Sequence, residues 1–240
     1  MSFQPNPPPD PAAQWRKIQH IGLCPGISSF EIYTDTYVPQ LEQAINESIA
    51  VACLVPGLDE IRAFHKIVFN GIHEWAGTFR GAGESVNFDG GQIGADHHRI
   101  VPAIEKLQAE TTTLIETAAK VGEKVRAVVM YLGALRCIHP FRDGNTRTAV
   151  VIMEGQVAAL FGPREREPVA SFDFKNLLRN AYQGHVGPLA NRILEREGLP
   201  PLATEDSEVA KALPALDVDM ETAWQMKREE ILQKQRGSLG

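Results

Sequence analysis

The chain has 240 residues, of which 43% are hydrophobic and 22% charged, a balance that supports a buried core and excludes a disordered or fibrous class. Its net charge of −6 argues against a nucleic-acid binder held by general phosphate attraction, though not against a nucleotide pocket built from a few local donors. Three scattered cysteines, Cys24, Cys53 and Cys137, point to a reducing compartment. No apolar run is long enough to span a bilayer, and MSFQPNPPPDPAAQW lacks the pattern of a secretory signal, so a cytoplasmic protein with no membrane partner is expected.

In chain order, residues 4–12 are dominated by proline and polar residues and predict an extended arm. Helices are expected over 36–53 and 58–72. The stretch 77–94, GTFRGAGESVNFDGGQIG, has many glycines and no helical period, and reads as a short hairpin or flap. A helix follows over 102–119. In 125–138, Val125, Val128, Val129, Leu132, Leu135 and Ile138 recur at spacings of three and four along one face, and Pro140 stops that helix. Residues 149–160 are apolar on more than one face, which predicts a central helix ended by Gly162-Pro163. Shorter helices are expected over 173–181 and 187–196, and a charged helical tail lies beyond Pro200-Pro201. The fold class is mainly α, organised as an arm and helix over 1–54, a core over 55–195 and a helical tail over 196–240.

Chemistry concentrates between the two strong helices, in His139-Pro140-Phe141-Arg142-Asp143-Gly144-Asn145-Thr146-Arg147. A loop that opens a helix presents unpaired backbone N–H groups, and Gly144 lets the backbone turn close to a ligand, which suits a phosphate. Asp143 can hold Mg²⁺, Asn145 can donate to a phosphate oxygen, and Arg147 can fork onto phosphate. His139 titrates near neutral pH when unperturbed and can take a proton from an attacking hydroxyl. A base, a metal carboxylate and a phosphate nest together describe phosphoryl-type transfer. Elsewhere, His97-His98 reads as a solvated loop, His20, His65, His73 and His185 as structural, and Cys137 as a core thiol.

HPFRDGNTR resembles the Fic-family signature HPFx(D/E)GNGRxxR, and Phe69–Arg80, FNGIHEWAGTFR, resembles that family's W-A-G-x-x-R approach to its flap. The resemblance covers roughly 55–195. It implies a mostly helical domain with a small β-hairpin flap, and transfer of AMP from ATP to a Ser, Thr or Tyr hydroxyl of a target protein. His139 is then the base and Asp143 the Mg²⁺ (or Mn²⁺) ligand. Gly144, Asn145, Thr146 and Arg147 form the phosphate cradle, and Val86, Asn87 and Phe88 are the flap positions that dock the target. Thr146 replaces the usual second glycine, and Val150 the usual second arginine, which contacts the γ-phosphate. That leaves room for another nucleotide or phosphorus-containing donor, or for a silent binding module. The family's inhibitory spacing, (S/T)xxxE(G/N), has no good match; Thr204–Glu208 comes nearest but is followed by Val209. The lack of an internal brake resembles members held by a separate small antitoxin. Toxin, effector delivered into a host cell and housekeeping enzyme all stay open.

Overall fold

The structure, a computed structural model, describes residues 22–84, 87–88, 92–163 and 174–203, together with Ala12, Trp15, Arg16 and Gln19. The expected arm apart from Ala12, the flap position Val86, and the tail from residue 204 onward, with its Thr204–Glu208 spacing, lie outside the described residues.

The described chain is mainly helical: α1 (Phe30–Val51), α2 (Leu58–Phe69), α3 (His97–Thr117), α4 (Val121–Ile138), α5 (Asn145–Phe161), α6 (Phe174–Tyr182) and α7 (Gly187–Arg196). Between α2 and α3, β1 (Asn87–Phe88) pairs antiparallel with β2 (Gln92–Ile93), Asn87 opposite Ile93 and Phe88 opposite Gln92. Among the described residues no helix is long and apolar enough to cross a membrane.

α4 and α5 form the centre. α5 is buried from Thr148 to Ala158, as its apolar faces predict. α4 is buried all round from Ala127 to Arg136 rather than along one face, because α3, α5, α6 and α7 all pack against it. α1 and α2 cover α5 from the other side. Buried polar groups tie the layers. Tyr131 on α4 donates to the Pro56 carbonyl at 2.7 Å, and Gln156 on α5 to that of Leu54 at 2.9 Å, fixing the α1–α2 connection. Glu154 takes two hydrogen bonds from Arg196 at 2.9 Å, joining α5 to the end of α7.

Four helices begin earlier than their sequence suggests, α4 at Val121 and α5 at Asn145 among them. α1 starts at Phe30, where the Ser29 hydroxyl accepts from the Ile32 N–H at 3.2 Å. Thr34 and Thr36 stay helical by bonding back to the carbonyls of Phe30 and Ile32. α3 starts at His97, so Pro102 lies inside it rather than at its first turn. α2 ends at Phe69, before the Asn70-Gly71 turn.

Candidate active site

The segment 139–147 joins the end of α4 to the start of α5; His139, Pro140, Phe141, Gly144 and Asn145 are buried, Arg142 is exposed and Asp143 half-buried. Pro140 ends α4, and His139 forms its cap in the left-handed region, φ 51° and ψ 60°. Only Ala52 shares a positive φ among the described non-glycine residues. Such a conformation costs about 1–2 kcal/mol and persists only where its surroundings enforce it.

Those surroundings come from the 77–95 segment. The buried Arg80 guanidinium donates to the carbonyls of His139 (2.7 Å), Ile138 (3.2 Å) and Glu84 (3.1 Å), and also to that of Ala95. The Arg80 N–H reaches the Pro140 carbonyl at 2.9 Å, and the Ala95 N–H that of Ile138 at 3.1 Å. A cation thus sits on the carbonyl end of α4, where the helix dipole favours it. A Cβ on Gly94 would stand 2.8 Å from the His139 Cβ, so this strand end lies directly against the histidine. Arg142 pairs with Glu84 and lies over the Trp75 ring at 5.7 Å, closing the same segment onto the loop.

Beneath the loop, His65 of α2 is fully buried and stacks on Phe141 with ring centroids 3.8 Å apart. Its Nδ1 accepts from the Gly77 N–H at 2.9 Å, and its Nε2 lies 3.2 Å from the Asp143 carbonyl. That pairing requires the neutral tautomer protonated at Nε2. Asn145 also faces inward: its Oδ1 accepts from the Phe141 N–H at 3.0 Å and its Nδ2 donates to the Phe141 carbonyl at 2.8 Å. The amide expected to meet phosphate therefore braces the loop.

Gly144 caps α5 with φ +77°, and no side chain caps the helix. The N–H groups of Asn145, Thr146 and Arg147 are the first-turn donors that an α-helix cannot pair internally. The Thr146 hydroxyl accepts from the buried Arg136 guanidinium at 2.8 Å. Arg136 was not singled out by sequence, since it reads as one charged residue in an apolar helix. The Arg147 side chain is engaged within the protein: it pairs with Asp143 at 2.6 Å, donates to the Tyr33 hydroxyl, and lies over the Phe69 ring at 4.5 Å. Val150, at the position of the family's second arginine, is buried and offers no donor. Backbone alone is described at Asn87 and Phe88.

Burial first, and then the Arg136 charge, push the His139 imidazole down to about 3. Burial likewise takes His65 to about 3 and His73, which stacks on Trp75, to about 4. His139 is therefore neutral at physiological pH: a ready acceptor, but a weak base as it stands. Burial works to raise the Asp143 carboxyl, yet the Arg147 charge and the Gly144 N–H outweigh it and hold the carboxyl below its ordinary range.

These three histidines make stability acid-sensitive. Their folded values lie below the ordinary 6.5, so between those limits the unfolded chain binds more protons. Their stabilisation is complete above about pH 6.5 and is lost as pH falls toward 4 and 3, at up to about 1.4 kcal/mol per pH unit for each histidine. Urea midpoints are expected to drop between pH 7 and pH 5.5, above the range where carboxylates titrate. The His65 and His139 ring signals in NMR should stay at neutral positions throughout. A flat urea midpoint, or imidazole signals titrating near 6.5, overturns this assignment.

Residues 56–156 match the sequence profile of the Fic/DOC family. This segment resembles a Fic domain. The matched segment runs from the α1–α2 connection through most of α5 and contains the whole 139–147 loop. Over 161 residues the chain is 27% identical to a Sinorhizobium fredii protein named "Probable protein adenylyltransferase y4lH", covering 64% of this chain and 81% of that one. Among solved structures, the N-terminal Fic domain of a VirB-translocated Bep effector protein from Bartonella quintana superposes with a TM-score of 0.51 at 20% identity, covering 73% of this chain and 86% of that one. A structure of such a domain from the same organism with bound ADP superposes at 0.57 and 18% identity, covering 76% and 91%. At these identities the structural likeness shows the fold.

Proposed function

We propose that this Fic-like domain is a protein adenylyltransferase, which moves AMP from Mg·ATP onto a Ser, Thr or Tyr hydroxyl of a target protein. The observation that carries this reading is a strained, buried His139 held beside the uncapped start of α5, with Asp143 immediately before that helix. The name of the Sinorhizobium relative and the ADP in the Bartonella structure support the same chemistry.

The N–H groups of Asn145, Thr146 and Arg147, with Gly144 allowing close approach, take the phosphates. Arg136 places a buried positive charge behind them through Thr146. His139 accepts the proton of the target hydroxyl as the oxygen bonds to the α-phosphorus. The bond from that phosphorus to the bridging oxygen breaks, and pyrophosphate leaves. Anionic phosphates beside His139 oppose the burial and the Arg136 charge that lower its proton affinity in the free protein. Among the described residues no cluster of three or more His, Cys, Asp or Glu could hold a metal alone, so the fit is to an ion arriving with the nucleotide and bound by Asp143 as its one carboxylate. Bound there, Mg²⁺ would neutralise charge on the leaving pyrophosphate. Asn87 and Phe88, in β1, would meet an extended target segment through their backbone, and Val86 is assigned to the same docking role by the family resemblance alone. A soluble cytoplasmic setting and restraint by a separate small protein belong to this same reading.

The test is incubation of the chain with a lysate and ATP labelled at either the α- or the γ-phosphorus. Protein labelling from the α position alone is expected. Labelling from the γ position alone would replace this reading with phosphate transfer. Val150 leads to a further expectation: without a γ-phosphate arginine, a contact worth about 10–100-fold elsewhere, ATP and ADP should bind within about tenfold of each other. A much larger preference for ATP in competition binding would mean that another residue grips the γ-phosphate.

A further inference from the structure

We infer that Tyr33, on a helix outside the family-matched segment, is a positioning residue of the candidate active site, acting through Arg147 to fix the carboxylate of Asp143. This rests on the adenylyltransferase reading, in which Asp143 takes the metal carried by the nucleotide.

α1 packs along α5 and delivers Tyr33 and Tyr37 to the Arg147 guanidinium. Tyr33 is 3% exposed, and its hydroxyl accepts a hydrogen bond from Nη1 of Arg147. The other terminal nitrogen, Nη2, is 2.6 Å from Oδ2 of Asp143. The guanidinium lies 4.5 Å from the Phe69 ring centroid, 5.2 Å from that of Tyr37 and 5.6 Å from that of Tyr33. Three aromatic faces and two directed hydrogen bonds fix a side chain that is otherwise among the most mobile.

A guanidinium is a rigid planar fork, so holding one end orients the other. With Nη1 anchored on Tyr33, Nη2 meets Asp143 at one angle, and Asp143 presents one orientation to an incoming cation. Arg147 thus contributes its backbone N–H to the phosphates and its side chain to the carboxylate. The chain begins this relay in α1, whereas the family-matched segment begins at residue 56. Sequence offered no sign of it, because Tyr33 and Arg147 are 114 residues apart.

The test measures Mn²⁺ binding by the full chain in the presence of ADP, and ADP binding in the presence of chelator. Tyr33→Phe keeps the ring and removes the hydroxyl. It is expected to raise the Mn²⁺ concentration for half-saturation about threefold to tenfold, the loss of one hydrogen bond, while metal-free ADP affinity changes less than about twofold. A purely structural role would shift both affinities together or neither. In an Arg147→Lys background, which lacks the fork, Tyr33→Phe should have no further effect on Mn²⁺. Unchanged Mn²⁺ affinity in Tyr33→Phe, or full additivity with Arg147→Lys, overturns the inference alone. Failure of the unmodified chain to bind ADP with or without metal overturns the adenylyltransferase reading and this inference with it.

Discussion

His139→Ala is expected to remove transfer while leaving the fold and ADP binding in place. General-base catalysis contributes about 10²–10⁴-fold, and His139 is the loop's one imidazole, while its one carboxylate, Asp143, is paired with Arg147. On the proposed reading the nucleotide is held by the backbone at the start of α5 rather than by the His139 side chain, so its binding should survive. The strained backbone at His139 separates chemistry from stability. Alanine inherits the φ of 51°, whereas glycine adopts it freely. His139→Gly should therefore be as inactive as His139→Ala yet more stable by about 1 kcal/mol. Both variants should lose part of the acid sensitivity below pH 6.5, since one buried imidazole is gone. Labelling from α-labelled ATP and urea unfolding at two pH values check all of this. An alanine variant that still labels protein at a near-normal rate would require a different base.

The 139–147 loop was legible in sequence because its chemistry is contiguous: a helix-stopping proline, a glycine at a left-handed cap and the polar side chains between them all report on the same turn. The central place of α5 was legible for a similar local reason, an apolar surface too wide for one face. What sequence missed is contact across distance. Arg80 stands inside a recognised element, and its Glu84 partner lies four residues on, but the carbonyls of Ile138 and His139 are 58 and 59 residues away and leave no trace in spacing. His65 is structural, as its sequence suggests, but its partners are not legible there: its bridge between Gly77 and the Asp143 carbonyl spans 78 residues on one side. Asn145 and Arg147 look like phosphate donors by residue type. The fold directs the first back onto Phe141 and the second onto Tyr33 and Asp143. Residue type defines what a group can bind, whereas competition among neighbours decides what it does bind.

Gly144→Ala carries the largest expected loss of stability among single changes in the loop. Two independent costs meet there. The φ of +77° is left-handed, which costs an alanine about 1–2 kcal/mol. A Cβ would also clash with Cε2 and Cζ of the Phe69 ring, which is fully buried, lies tilted beside His65 at 4.7 Å between centroids and carries the Arg147 guanidinium over its face. Phe69 cannot retreat without disturbing that arginine, and overpacking of a tight core typically costs about 1–3 kcal/mol. The sum is about 2–5 kcal/mol, together with loss of ADP binding as the start of α5 is displaced. Because the two costs have different causes, a second substitution can divide them. Phe69→Leu in the Gly144→Ala background relieves the clash but not the backbone strain, so it should recover part of the stability and leave Arg147 loosely held. Urea unfolding of the single and double variants gives the stability change, and ADP titration follows the site. A Gly144→Ala protein within about 0.5 kcal/mol of the parent, still binding ADP, would mean that the Phe69 contact is not what confines this position to glycine.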